Sequence, residues 1–201
     1  MLMELTTAMA VFGILIGAIS IVLAGAIHNS SEVQDQATLQ SEARFALDTL
    51  VAELRQGYSD STLPGQPYSI QTASGTALSF YTPDRQTPMH MRLVAYRLSS
   101  GQLQKAVATS TNTGSVGPWT GVLSGNLGSY NTLLGSVQNA TPFTYWQQCT
   151  TPGSGGCGTD YLKQLTGTIT ISSIDVVRVT LTVAPTGALG KTTTYVESAR
   201  A

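Results

Sequence analysis

The sequence predicts an α+β protein. A long N-terminal α-helix, apolar in its first half, packs through its second half on an antiparallel β-sheet that carries a long Gly/Ser/Thr-rich insertion. Three observations carry this. Residues 5–27 contain no charged side chain. Leu39, Ala43, Ala46, Leu47, Leu50 and Leu54 then recur at steps of three and four, which is one stripe of a helix. Beyond Gly57 the period falls to two. There Val177, Val179, Leu181 and Val183 alternate with Arg178, Thr180 and Thr182, as in a strand with one buried and one wet face.

The opening reads "MLMELTTAMAVFGILIGAISIVLAGAIHNS". Its uncharged run of 23 residues is long enough to cross a bilayer as a helix. We assign 1–27 to a transmembrane helix, 28–56 to its amphipathic continuation, and 57–201 to a β-rich head. No Pro or Gly interrupts residues 28–56, and Gly57 is the expected stop. Such a rod is roughly 80 Å long at 1.5 Å per residue. Leu39, Ala43, Leu47, Leu50 and Leu54 are its expected packing residues. Glu32, Asp35, Glu42, Arg44, Asp48, Glu53 and Arg55 lie mostly off that stripe. Gly13, Gly17 and Gly25 fall in the apolar half, where small residues let helices approach closely.

In the head, "SDSTLPGQPYS" is turn-rich linker. "ALSFYT" reads as a strand, and "MRLVAYRL", "SSGQ" and "LQKAV" as a hairpin. "TGTITI" and "DVVRVTLTV" follow as strands, "APTGALGK" as a turn, and "TTTYVES" as a last strand. The insertion, Ala106 to Thr159, has no charged residue. It scatters Trp119, Tyr130, Leu133, Leu134, Phe143, Tyr145 and Trp146 among Gly, Ser, Thr and Asn. Two readings stand: an ordered excursion with short strands, or a solvated loop. Cys149 and Cys157, in "CTTPGSGGC", read as a disulfide if the head lies outside the cytoplasm, and otherwise as two thiols. Closing so short a loop is worth roughly 2–3 kcal/mol. Asn139-Ala140-Thr141 and Asn29-Ser30-Ser31 fit the glycosylation triplet, a pattern that chance often supplies.

Several functions find no signal. The net charge of −1, with charged residues at only 10%, sets up no field for nucleic acid, and no basic stripe interleaves with aromatics. His28 and His90 are not at ligand spacing from the cysteines, so no metal site is expected. No cofactor motif appears. "GSGGCG" (Gly153–Gly158) does not follow a strand and open a helix, so it is no dinucleotide loop. His90 and the many serines single out no triad, so no enzyme activity and no catalytic residue is expected.

Glu4 is the remaining oddity. A carboxylate at the edge of an apolar helix is costly in lipid unless paired. At a helix N-terminus the macrodipole offsets part of that cost. The first basic residue is Arg44, so residues 1–43 hold none of the basic side chains that usually flank an anchor on its cytoplasmic side. Either Glu4 is a hydrated interfacial residue, or it meets an α-amino group, which in a stack of staggered helices belongs to the next subunit.

"LMELTTAMAVFGILIGAISIVL" resembles the N-terminus of type IV pilins and of the related pseudopilins of type II secretion. Leu2, Met3, Glu4 and Leu5 match that motif, and Gly13 falls on the family's usual glycine. "SEARFALDTLVAELRQ" (Ser41–Gln56) looks like the distal helix of the larger minor members. The glutamate is usually the family's fifth mature residue and here is the fourth, so either one residue precedes Met1 or processing differs. The helix-kinking proline is absent near Ile21–Ala24, which is more usual in minor subunits.

The resemblance implies a structural subunit that waits in the bacterial inner membrane and whose residues 1–27 then become a filament-core helix. A prepilin peptidase cuts it, its new N-terminus is methylated, and the pilus assembly machinery stacks it with copies of itself or other pilins into an extracellular filament. Glu4 would neutralise a neighbour's N-terminal amine, and Gly13 would share in the assembly surface. Adhesion, motility, DNA uptake and secretion are the family's uses of such filaments. The other readings are a minor pilin or pseudopilin at the tip, or, in a different class, a membrane-anchored extracytoplasmic binding or sensor domain.

Overall fold

In the computed structural model, described at residues 2–58, 69–113, 127–153, 155–184 and 192–200, one helix and nine strands follow each other in chain order. Helix α1 runs unbroken over Leu2–Leu54. Arg55 and Gln56 form a closing turn, in which the Gly57 N–H donates to the Leu54 carbonyl at 2.9 Å. Gln56 Nε2 caps the Ala52 carbonyl at 2.8 Å. The helix thus stops on a tightened three-residue turn, two residues before the expected end.

The strands divide into two antiparallel sheets rather than one. Strands β1 (Ile70–Ala73), β2 (Ala77–Pro83), β3 (His90–Ser99), β4 (Gln102–Thr113) and β5 (Asn131–Leu134) pair in that order. The second sheet has the order β7 (Leu162–Leu165), β6 (Phe143–Gln148), β8 (Val176–Val183), β9 (Thr193–Arg200). Alternation in the sequence marks the buried face of a strand but not its partner, and so it could not separate the two sheets. β3 and β4 form a hairpin closed by Ser100 and Gly101, both at positive φ (51° and 71°). That geometry is the primed two-residue turn that suits twisted strands.

"TGTITI" is not a strand. β7 ends before it at Leu165, Gly167 turns at φ 78°, and the 3₁₀ turn Ile171–Ser173 follows. Ile169 and Ile171 instead lay their side chains on the core. Trp119 and the linker and turn segments 59–68 and 185–191 lie outside the described residues. Within 106–159, the described residues supply the end of β4 and all of β5 and β6. Leu134, Phe143 and Tyr145 from this stretch are buried in the core.

One core joins all three layers. Ala43, Ala46, Leu47, Leu50, Val51 and Leu54 of α1 meet Phe80, Val94, Tyr96 and Leu103 of the first sheet and Phe143, Val177, Val179 and Leu181 of the second. Leu39 lies at the edge, half-buried. The sheets are sewn together by the Phe143 N–H on the Gly75 carbonyl at 3.2 Å, and by the Val137–Val183 bridge. The Tyr145 hydroxyl donates to the Ser74 and Ala77 carbonyls at 2.9 and 3.1 Å. Asn139 is part of this seam. Its amide donates to the Thr180 carbonyl at 2.7 Å and accepts from the Thr182 N–H at 2.8 Å. The Asn139 glycosylation triplet is therefore a structural clamp.

Candidate assembly surface

The first half of α1 stands outside the head. Residues 3–27 are exposed on every face, with Phe12 at 66% and Ile14 at 73% of full exposure. This helix is long and apolar enough to cross a membrane, and none of its most apolar 18-residue window is buried within the chain. Its polar side chains turn inward on the backbone. Thr6 and Thr7 donate to the Met3 carbonyl at 2.9 and 3.0 Å, and Ser20 to that of Ile16 at 2.9 Å. Such back-bonding lets hydroxyls sit in an apolar setting without an outside partner.

Glu4 lies in the first turn, exposed, where the helix macrodipole favours a negative charge. Gly13 lies on the wall of an open groove between Leu5, Ala8, Met9, Phe12 and Ile16. A Cβ added at Gly13, Gly17 or Gly25 would meet nothing within 4 Å. Nothing among the described residues calls for these glycines.

The second half of α1 carries Ala43, Leu47, Leu50 and Leu54 into the core. It also carries Glu53, one of the charged residues that lie mostly off the apolar stripe. Glu53 Oε2 accepts from the Tyr96 hydroxyl at 2.6 Å, and Oε1 from Lys105 Nζ at 2.7 Å. Arg92 Nη2 stands 3.7 Å from the same oxygen. The Glu53 side chain is only 16% exposed. The burial of Tyr96 itself, together with the Glu53 carboxylate beside it, pushes its phenol well above the usual tyrosine range. The available signal was spacing: Glu53 stands three residues after Leu50, on the flank of the buried stripe. This cluster fastens the helix end to β3 and β4.

Cys149 and Cys157 form a disulfide that ties the end of β6 to the turn before β7. Beside it a cleft of about 290 Å³ opens at one end of the second sheet, lined by Gln148, Asp160, Tyr161, Val176, Ser198 and Arg200 among others. His90 aims Nδ1 at the Ser110 carbonyl at 3.0 Å, while its N–H donates to Asp84 at 2.9 Å. That N–H holds the Asp84 carboxyl below the usual carboxylate range. Asp84 thus meets His90 through its backbone rather than its ring, which is not triad geometry. Among the described residues no three His, Cys, Asp or Glu side chains gather as a metal site. Compared with protein families and with curated proteins, the chain matches no family model and no curated relative.

Proposed function

We propose that this chain is the structural subunit of a type IV pilus-like extracellular filament, held in the bacterial inner membrane before assembly. The observation that carries this is continuity. The exposed apolar segment and the helix buried in the head core are one unbroken helix, Leu2–Leu54. A tethered receptor domain needs only a flexible link to its anchor. A repeating assembly needs every head held at one angle to its apolar rod, and a continuous helix supplies that. Glycines that no contact among the described residues requires are suited to close approach by neighbouring helices. Glu4 then pairs with a neighbour's N-terminal amine and fixes the stagger. Prepilin peptidase, N-terminal methylation and the assembly machinery follow from the resemblance of residues 2–23.

The test is electron microscopy of sheared surface appendages, with mass spectrometry of their N-terminal peptide. The expected result is a helical filament containing this chain, cut and methylated ahead of Glu4. Its abundance relative to other subunits separates a main subunit from a tip subunit. Glu4→Ala is expected to leave a folded head in the membrane with no filament. A chain found only in membranes, in cells that make all the assembly machinery, overturns the reading. The cleft beside the disulfide favours a second reading, a permanently anchored binding domain, and that outcome would support it.

A further inference from the structure

The charge of this chain is divided between its parts. Residues 1–56 carry six acidic and two basic side chains, and residues 57–201 carry five and eight. No basic side chain occurs before Arg44. Below the head, Glu32, Asp35 and Glu42 lie along one side of α1 next to the stripe residue Leu39, at spacings of three and seven. Asp35 and Glu42 are exposed and Glu32 is half-buried. Like charges at helical spacing repel, so this stretch is better placed against a cationic surface than against itself.

The outer face of the second sheet is such a surface. Val177, Val179 and Leu181 point inward, so Val176, Arg178 and Thr180 point out. One rung reads Gln164, Trp146, Val176, Arg200 across the four strands. The next reads Thr144, Arg178, Ser198. The Arg178 guanidinium rests 4.5 Å over the Trp146 ring. Stacking on an aromatic face holds the guanidinium plane and leaves its N–H edge open to a carboxylate. None of these rung residues is acidic. Asp160 lines the same cleft as Arg200, and Asp175 accepts the Gln148 N–H at 2.7 Å. Val196, 54% exposed on β9, adds an apolar contact beside the arginines.

We propose that this face docks the acidic helix stretch Glu32–Glu42 of a second copy of the chain. The inference rests on the filament reading and names the contact that joins heads to neighbouring rods. The chain's own helix cannot supply the carboxylates, because it packs on the inner face of the sheet, against Val177 and Val179. Asp35 and Glu42 stand about 10 Å apart along the helix axis. Arg178 and Arg200 are diagonal neighbours about 7–8 Å apart at the backbone, and their long side chains span the difference. The two surfaces are different patches of one subunit. Their contact is therefore heterologous, the kind that propagates into an open helical stack instead of closing as a dimer.

The experiment uses the full chain in cells that assemble it, with filaments counted by electron microscopy. Arg178→Glu with Arg200→Glu is expected to lower filament yield about tenfold or more, since like charges then face each other. Asp35→Arg with Glu42→Arg is expected to do the same. Combining the four substitutions restores assembly, and that rescue shows that each altered chain folds. Reversed variants that assemble like the wild type overturn this contact while leaving the filament reading intact. So does a four-fold variant that fails although each pair is folded by circular dichroism. A wild-type chain that forms no filament overturns the filament reading itself, and the contact with it.

Discussion

Glu53 Oε1 and Lys105 Nζ lie 2.7 Å apart, 52 residues apart in sequence, at the place where the helix ends on the first sheet. The carboxylate also takes the Tyr96 hydroxyl, so one helix residue gathers two neighbouring strands. Removing it strands a lysine and leaves a buried phenol without its acceptor. Breaking a buried pair from one side costs about 3–5 kcal/mol. This pair keeps some water contact, with side chains 16% and 17% exposed. Glu53→Ala is therefore expected to cost about 2–3 kcal/mol, below the fully buried range. Glu53→Gln, which keeps the hydrogen-bond acceptor, should cost less. Urea denaturation of the head decides it, and equal losses in the two variants would show that the retained acceptor contributes nothing and that the charge carries the whole effect.

Alkaline pH should weaken the fold through the same cluster. Burial first, and then the Glu53 charge, raise the Tyr96 pKa, and burial raises that of Tyr145. The folded state therefore holds these protons more tightly than the unfolded chain does. That stability is fully present below the unfolded tyrosine value of about 10 and is lost as pH rises above it. Each phenol adds a slope approaching about 1.4 kcal/mol per pH unit there. The expected unfolding curve falls between pH 10 and 12, and Tyr96→Phe makes that limb shallower. A limb of unchanged slope in the variant would refute the assignment.

The head's faces were legible because alternation and helical spacing are local signals. Leu47, Leu50, Val179 and Leu181 each announce a buried side within a few residues of chain. The division into two sheets was not legible, because pairing between strands distant in sequence leaves no mark in either strand. Glu53 failed for a related reason: its partners lie on β3 and β4, and a carboxylate on the flank of a stripe reads as solvated. "TGTITI" misled because Ile169 and Ile171 pack, partly buried, on the core at strand-like spacing, while Gly167 turns the backbone out of the sheet. The candidate assembly surface was the most legible feature, since an uncharged run with one acid at its edge needs no tertiary contact to be seen. The arginine-bearing rungs were hidden, because they emerge only once β6, β8 and β9 are aligned.

The disulfide closes a loop of eight residues' separation at the end of β6. The same loop is held by the Cys149 N–H on the Tyr161 carbonyl and the Gly158 N–H on that of Leu162, both at 2.8 Å. Cys149→Ser with Cys157→Ser is thus expected to lower stability by about 2–3 kcal/mol, with the β fold kept. Thermal melts with and without reductant test it. The wild type should lose about as much on reduction as the double variant has already lost, and the variant should ignore the reductant.

Gly75, in the turn between β1 and β2, lies against Thr141, two residues before β6. A Cβ at position 75 would stand 2.9 Å from Thr141 Cγ2 and 3.3 Å from its Cβ. Gly75 also offers its carbonyl to the Phe143 N–H, so the backbone there cannot shift without loosening the seam. Gly75→Ala is expected to destabilise by about 1–3 kcal/mol, the usual range for overpacking. Thr141→Ser removes the nearer methyl, and in the Gly75→Ala background it should recover part of the loss. A double-mutant cycle over the two positions measures this, and additive effects would mean that the strain lies elsewhere. Since Thr141 is exposed, the serine change alone should be close to neutral, which makes the coupling readable.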